Sequence, residues 1–292
     1  MDAQSLLSKI LASHKPDDVF SRANFRKEYL AYLKLLHPDV CKLPYATDAV
    51  ARLNIYVEEL EAALRLTDDA GPLRVLPNNQ LRFEGDPTLL RQSQHNYERL
   101  LALRDPAAQH FHKYLPGSLT WDGANLVATT PVRVVPLAGL VLPPHHVAWV
   151  LSRLLELVAW LHQSGFCHAG FNPESLALVP ETHGLVCLSF YHMARLNGTL
   201  TTISGKYRLW YPDAVFADKR ALPGIDLALA QRTAVCLLGD ASGNGVRLRA
   251  TVDERLVDFL LTPRHNAYTA FTDYRKLLKQ LYPKREFHPL NL

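Results

Sequence analysis

The chain reads as α+β in two parts: a small all-helical segment, then a larger one that opens on strands and closes on helices. Three observations carry this. Apolar residues recur at helical spacing as far as Leu64. A polar break containing Gly and Pro, Thr67 to Pro72 (TDDAGP), then interrupts the pattern. Beyond it come short runs of strand-forming residues, and only from Pro143 a long, nearly all-round apolar helix.

A length of 292 residues suits two domains. With 48% hydrophobic and 21% charged residues, the chain is a folding sequence and not a disordered one. A net charge of +4 is too small to imply nucleic acid or a membrane surface as partner. No window approaches the roughly eighteen uncharged apolar residues of a spanning helix. The opening MDAQSLLSKILASHK lacks a positive start and a small-residue cleavage site, so a cytoplasmic protein without a secretory leader is expected. Cys41, Cys167, Cys187 and Cys236 share no CxxC spacing. They are expected as reduced thiols, with no metal site and no cofactor.

In the first part, residues 5–13 predict a short amphipathic helix, interrupted by Lys15-Pro16-Asp17-Asp18. A longer helix begins at Ser21 or Asn24, with Phe25, Tyr29, Tyr32, Leu33 and Leu36 along one stripe and Arg26, Lys27 and Lys34 off it. Pro38 disfavours helix at His37 and stops it there. After a loop, a third helix carries Val50, Leu53, Val57, Leu60 and Leu64 at spacings that suit antiparallel packing.

These residues resemble the J domain of co-chaperones over roughly residues 1–66, and a domain of residues 1–68 is expected. Phe25, the basic pair Arg26-Lys27 and Tyr29 stand where that family has them upstream of its His-Pro-Asp tripeptide, here His37, Pro38 and Asp39. RLNIYVEEL is similar to the family's following helix. The resemblance implies that His37, Pro38 and Asp39, with Arg26, Lys27 and Lys34, touch the ATPase domain of a seventy-kilodalton heat-shock chaperone and trigger ATP hydrolysis. A basic helix face would steer towards an acidic partner surface. Two departures, a reduced aromatic opening and Leu30-Ala31 in place of further basic residues, imply a weaker or more selective contact. The plainer alternative is a helix stop, since Pro and Asp are frequent there.

In the second part, residues 73–86 predict two strands around an Asn78-Asn79 turn, and Pro87 to Leu103 a helix bearing Glu98. FHKYLPGSLTWDG and ANLVATTPVRVV have strand propensity with turns at Pro116-Gly117 and Asp122-Gly123. A long helix runs from Pro143 to a stop at Gly165. SLALV and LVCLSF predict a hairpin about His183-Gly184, and two helices with stripes from Leu256 to Leu281 close the chain before a tail of residues 283–292.

In this order the pieces resemble a protein-kinase-like fold over about residues 73–282, bilobal, with a strand-rich small lobe of about 73–140 and a helical large lobe of about 141–282. The helix ends Trp160-Leu161-His162 before Gly165, His168 to Ser175 takes the place of the catalytic loop, Met193-Ala194-Arg195 follows the hairpin, Trp210-Tyr211-Pro212-Asp213 resembles the APE segment and Asp226 starts the central helix. The resemblance implies that His168 packs under the loop, that Asp226 accepts backbone hydrogen bonds from it, and that Asp213 pairs with Arg264.

The chemistry of that family is missing. Phosphoryl transfer needs a positioning carboxylate and metal-binding Asn and Asp residues. Gly170 stands at the catalytic Asp position, Asn172 at the loop Lys and Ser175 at the loop Asn. Phe190, or Ser189 with a one-residue shift, stands at the DFG Asp. Loss of the base alone costs roughly 10²–10⁴ in rate. Glu174 belongs to the loop's Pro-Glu pair and is not read as a replacement acid. The expectation is therefore a pseudokinase without catalytic residues, not an enzyme. Joined to the first part, it would be a co-chaperone whose kinase-like domain binds a protein client, with no nucleic acid and no membrane involved. The alternatives are a nucleotide-binding kinase-like switch or atypical transferase with an accessory J-like part, and a structural adaptor with a degenerate J domain.

Overall fold

The computed structural model describes residues 2–21, 24–37, 39–63, 65–284, 288–290 and 292, with the side chains of residues 61–63, 65 and 107 left aside. The chain divides into two compact units, Met1–Leu66 and Thr67–Leu292.

The first unit is helical: α1 (Ala3–Ala12), a short 3₁₀ turn at Pro16–Asp18, α2 (Phe25–Leu36) and α3 (Ala46–Ala63). The Asp2 carboxylate starts α1 by accepting the Ser5 N–H at 2.8 Å. The other end of α1 is closed by Arg52 of α3, whose Nη1 donates to the Ile10, Leu11 and Ser13 carbonyls at 3.2, 2.7 and 3.1 Å. Those are the carbonyls a helix C-terminus leaves without partners. The core joins Leu6, Leu7 and Ile10 of α1 to Phe25 and Leu36 of α2 and to Leu53, Tyr56 and Leu60 of α3, with Val19 and Phe20 filling between them. Tyr29, Tyr32, Val50 and Val57 pack at its margin, as their spacing predicts, while Leu64 lies outside the described residues. α2 stops because His37 takes an extended backbone (φ −55°, ψ 134°), as the residue before a proline does.

The second unit opens on a five-stranded sheet in the order β1-β2-β3-β5-β4. Its strands are β1 (Arg65–Thr67, crossing the unit boundary), β2 (Pro72–Leu76), β3 (Gln80–Phe83), β4 (Ser118–Asp122) and β5 (Asn125–Thr129). β2 pairs antiparallel with β3, β3 with β5 and β5 with β4. Asn78 and Asn79 both turn with positive φ (59° and 57°), the conformation a tight two-residue hairpin needs. Leu73, Leu81, Phe83, Leu119, Leu126 and Ala128 are buried. Against the sheet lies α4 (Pro87–Leu101), capped by the Asp86 carboxylate on the Thr88 N–H at 2.7 Å.

The segment after α4 departs from the sequence expectation. Phe111 to Tyr114 has strand propensity, yet it lies in α5 (Pro106–Phe111) and a following 3₁₀ turn. Aromatic packing decides the matter: Phe111 stacks on Trp160 with ring centres 5.0 Å apart, and the Tyr114 hydroxyl donates to Glu156 at 2.7 Å.

The remainder is built on α6 (Pro144–Gln163), apolar on nearly every side and stopped by Gly165 at φ 81°. Three strands, β6 (Val135–Pro136), β8 (Leu176–Val179) and β9 (Gly184–Cys187), pair in the order β6-β8-β9, and β7 (Phe166–Cys167) pairs with β10 (Ala194–Arg195). α7 (Ala214–Asp218), α8 (Pro223–Leu237), α9 (Glu254–Leu261) and α10 (Ala267–Leu281) complete the unit. α8 and α10 pack on α6, where the Tyr274 hydroxyl donates to the Ala148 carbonyl at 2.8 Å. A sheet with one long helix followed by a helical body fits the bilobal, kinase-like arrangement. Among the described residues no helix is long and apolar enough to cross a membrane.

Candidate functional site

In the first unit, the residues expected to meet a chaperone share one helix and its end. Arg26, Lys27 and Lys34 are exposed on α2, whose opposite stripe enters the core. His37 and Asp39 are exposed beyond its last turn, with His37 Nδ1 3.3 Å from the Asp39 carboxylate and 3.3 Å from the Asp39 N–H. Pro38, the middle residue of the tripeptide, lies outside the described residues.

In the second unit, the loop after β7 is held from below by Asp226 of α8. Its fully buried carboxylate accepts the His168 N–H at 2.9 Å, the Ala169 N–H at 2.7 Å and a bond with His162 Nε2 at 2.9 Å. Burial opposes its ionisation. The His162 hydrogen bond and charge outweigh that and hold its pKa below the ordinary Asp value. His162, Cys167 and Asp226 also bring three potential metal-ligand atoms within 4.8 Å of one another. Burial raises the Cys167 thiol pKa well above its ordinary value, so it stays protonated, and it faces the Leu222 carbonyl. The carboxylate is already committed to the loop backbone, and the cluster reads as a hydrogen-bonded brace.

His168 is buried and stacks face to face on Phe171, ring centres 4.0 Å apart. Its Nε2 lies 2.9 Å from the Ser189 carbonyl, and its Nδ1 accepts the Gly170 N–H at 3.2 Å. This assigns a neutral ring protonated at Nε2, and burial pushes its pKa down to about 4. Asn172 and Ser175 close a turn on themselves. Asn172 Oδ1 accepts the Glu174 and Ser175 N–H groups at 2.9 and 2.8 Å, while Ser175 Oγ accepts the Asn172 N–H at 2.9 Å. Both side chains are spent on shaping the loop.

The positions read as a catalytic Asp and a metal-binding Asp are filled in a particular way. A Cβ placed on Gly170 would come within 2.8 Å of the His192 ring, so His192 occupies the space a side chain there would need. Phe190 is 1% exposed, with its ring 6.0 Å from Tyr97 and 5.8 Å from His168. β10 pairs Ala194 with Cys167, which anchors this segment beside the loop. α4 then locks it: Ser93 Oγ accepts the Phe190 N–H at 2.9 Å, and Asn96 Nδ2 donates to the Phe190 and Met193 carbonyls at 2.9 and 3.3 Å. Glu98 of the same helix is exposed.

Three carboxylates surround the loop, and each is engaged. Glu174 bonds with Lys206 and accepts the Tyr207 hydroxyl at 2.5 Å. Asp69 takes a bond with His192 Nε2 at 3.2 Å and the Ser204 hydroxyl at 2.7 Å. Burial disfavours the charge of Asp69, but those two partners hold its pKa below the ordinary value. Asp68 accepts the Tyr191 hydroxyl at 2.6 Å, and burial pushes its pKa up to about 6. The TDDAGP segment, which reads as a solvated break, is thus anchored in the second unit by two inward-pointing acids. Its sequence gives no signal of this, because a buried and a solvated Asp-Asp are written alike. Ser93 and Asn96 carry a weak one: they are polar residues on the stripe of α4 that also holds Leu90, Tyr97 and Leu100.

One expected pair does not form. Asp213 is exposed at the start of α7, whereas Arg264 reaches Asp273 at 3.2 Å and lies over the Phe259 ring at 4.6 Å. Asp273, on the neighbouring α10, takes the guanidinium instead.

No family profile matches the chain, and no curated protein does. Among solved structures, it is similar to the kinase domain of a rhoptry antigen specific to Toxoplasma gondii, at 14% identity and a TM-score of 0.46, over 74% of this chain and 78% of that one. A similarity of that size assigns no role to any residue here.

Proposed function

We propose that the protein is a J-domain co-chaperone whose second unit is a pseudokinase, a kinase-like scaffold that binds a protein client and transfers no phosphate. The observation that carries the first half is the arrangement on α2. Its basic residues Arg26, Lys27 and Lys34 are exposed while the other face is buried, and His37 and Asp39 stand exposed at its end. A basic stripe leading to an exposed imidazole and carboxylate suits an acidic chaperone surface. The second half rests on Gly170, crowded by His192, and on Phe190, buried where a metal-binding carboxylate would be required.

The test is single-turnover ATP hydrolysis by a seventy-kilodalton heat-shock chaperone, with the full chain and with its His37→Gln variant added. His37 is exposed, so the variant keeps the fold. The expected outcome is stimulation by the parent chain that the variant loses. Equal rates with either protein, both shown to be folded, refute the proposal.

A further inference from the structure

A cavity of about 680 Å³ opens between α6 and α10, lined by residues from His145 to Lys284 and by His288. It is separate from the loop held by Asp226, and its size falls in the range of sites for small organic ligands.

Its charge is one-sided. Arg153, Arg275, Lys279 and Lys284 line it against a single carboxylate, Glu156. Glu156 is already engaged, by the Tyr114 hydroxyl at 2.7 Å and by Arg153 Nη1 at 3.1 Å. Lys279 and Lys284 have no carboxylate partner among the described residues. Excess positive charge in a concave site raises the local concentration of anions.

Imidazoles make up much of the wall. His145 lies 4.2 Å, centre to centre, from His146 and 4.6 Å from His288, and His183 lies 4.3 Å from Trp149. His183 reaches this place from a hairpin turn with φ 55°, a left-handed backbone that a residue with a side chain adopts at a cost. Burial holds the His146 pKa down to about 4, so at neutral pH that ring is an uncharged N–H donor and acceptor. Trp149, Phe271 and Tyr282 add aromatic rings to the lining. Cations with aromatic planes in one enclosure match a ligand that carries a phosphate on a ring system.

We propose that this cavity binds a small aromatic phosphate of the size of a nucleoside monophosphate, its phosphate held by Arg153, Arg275 and Lys279 and its ring against Trp149 and Phe271. Binding there does not depend on the loop around Gly170, whose residues do not line the cavity.

The test is calorimetric titration of the full chain, without divalent metal, using AMP, adenosine and inorganic phosphate as probes. AMP is expected to bind with a submillimolar Kd, and adenosine and phosphate each about tenfold or more weakly. The Arg275→Ala/Lys279→Ala variant, altered at two exposed positions, is expected to weaken AMP by at least about tenfold with an unchanged melting temperature. If that variant melts lower, Lys279→Glu alone gives the same comparison. Absence of AMP binding at millimolar concentration overturns the proposal. So does AMP binding that both variants leave unchanged, which places the nucleotide elsewhere, and so does phosphate binding as tightly as AMP, which reduces the cavity to an unselective basic patch.

Discussion

Replacing Asp226 by Asn tests the brace beneath the loop, because the two side chains have the same shape. The carboxylate accepts three donors: the His168 and Ala169 N–H groups and His162. An amide offers one oxygen. Keeping it where His168 and His162 bond turns the NH₂ towards the Ala169 N–H, now donor against donor across 2.7 Å. One buried N–H left without an acceptor costs about 1–3 kcal/mol, and the surviving bonds lose their charge assistance, about 1 kcal/mol each. The sum is about 3–5 kcal/mol. For a unit of this size each kcal/mol shifts the melting temperature by roughly 2–4 °C, so the fall is roughly 6–20 °C. The assay reads the right unit by itself: Trp121, Trp149, Trp160 and Trp210 all lie beyond residue 66, so tryptophan fluorescence follows only the second unit's melting. Asp213→Asn, at an exposed position, is the control and is expected to stay within about 0.5 kcal/mol of the parent. A loss for Asp226→Asn below about 1 kcal/mol, or no larger than the control's, refutes the brace.

Three further outcomes follow from burial and titration. Leu53→Ala empties a fully buried position in the small first unit and should cost about 2–5 kcal/mol, seen as lost helical circular dichroism at a temperature where tryptophan fluorescence is unchanged. Gly170→Asp should lower the second unit's melting point by about 1–3 kcal/mol equivalent without any phosphoryl transfer appearing, because the new Cβ meets His192 at 2.8 Å; an unchanged melt contradicts this. Acid acts on two buried groups in opposite senses. His168, depressed to about 4 from 6.5, favours the folded state above pH 6.5 by about 3 kcal/mol, and this is lost as pH falls from 6.5 to 4. Asp68, raised to about 6 from 3.8, favours the folded state fully below pH 3.8, and that contribution of about 3 kcal/mol is lost as pH rises through 6. Asp68→Asn removes the second effect, so urea melts from pH 7 to pH 4 should show a steeper acid loss in the variant than in the parent, by about 3 kcal/mol.

Periodicity made much of this fold legible. The stripe Phe25, Tyr29, Tyr32, Leu36 needed only helical spacing, α6 only its length and its terminal Gly165, and the β8–β9 hairpin only the His183-Gly184 turn. Loop positions such as Gly170 and Asn172 came from the order of motifs, and Asp226 meets the loop backbone as that order implies. What escaped was whatever depends on which polar residues turn inward. Asp68 and Asp69 sit in a stretch whose composition signals solvent, yet Tyr191 and His192, distant in sequence, supply their partners. The Asp213–Arg264 pairing failed for the same reason, since an arginine's partner is set by local reach, and Asp273 is within it. Phe111 to Tyr114 became helical through stacking on Trp160, a contact no local propensity contains.

The fit of His192 against Gly170 has an evolutionary consequence. A mutation that places Asp at 170 first drives a side chain into an imidazole already bonded to Thr202 and Asp69. A mutation that first removes the imidazole leaves the nearly buried Asp69 with Ser204 as its remaining side-chain partner. Either order of the two substitutions passes through a less stable protein. The pair works as a ratchet: with both residues present, each is held in place by the cost of changing the other first.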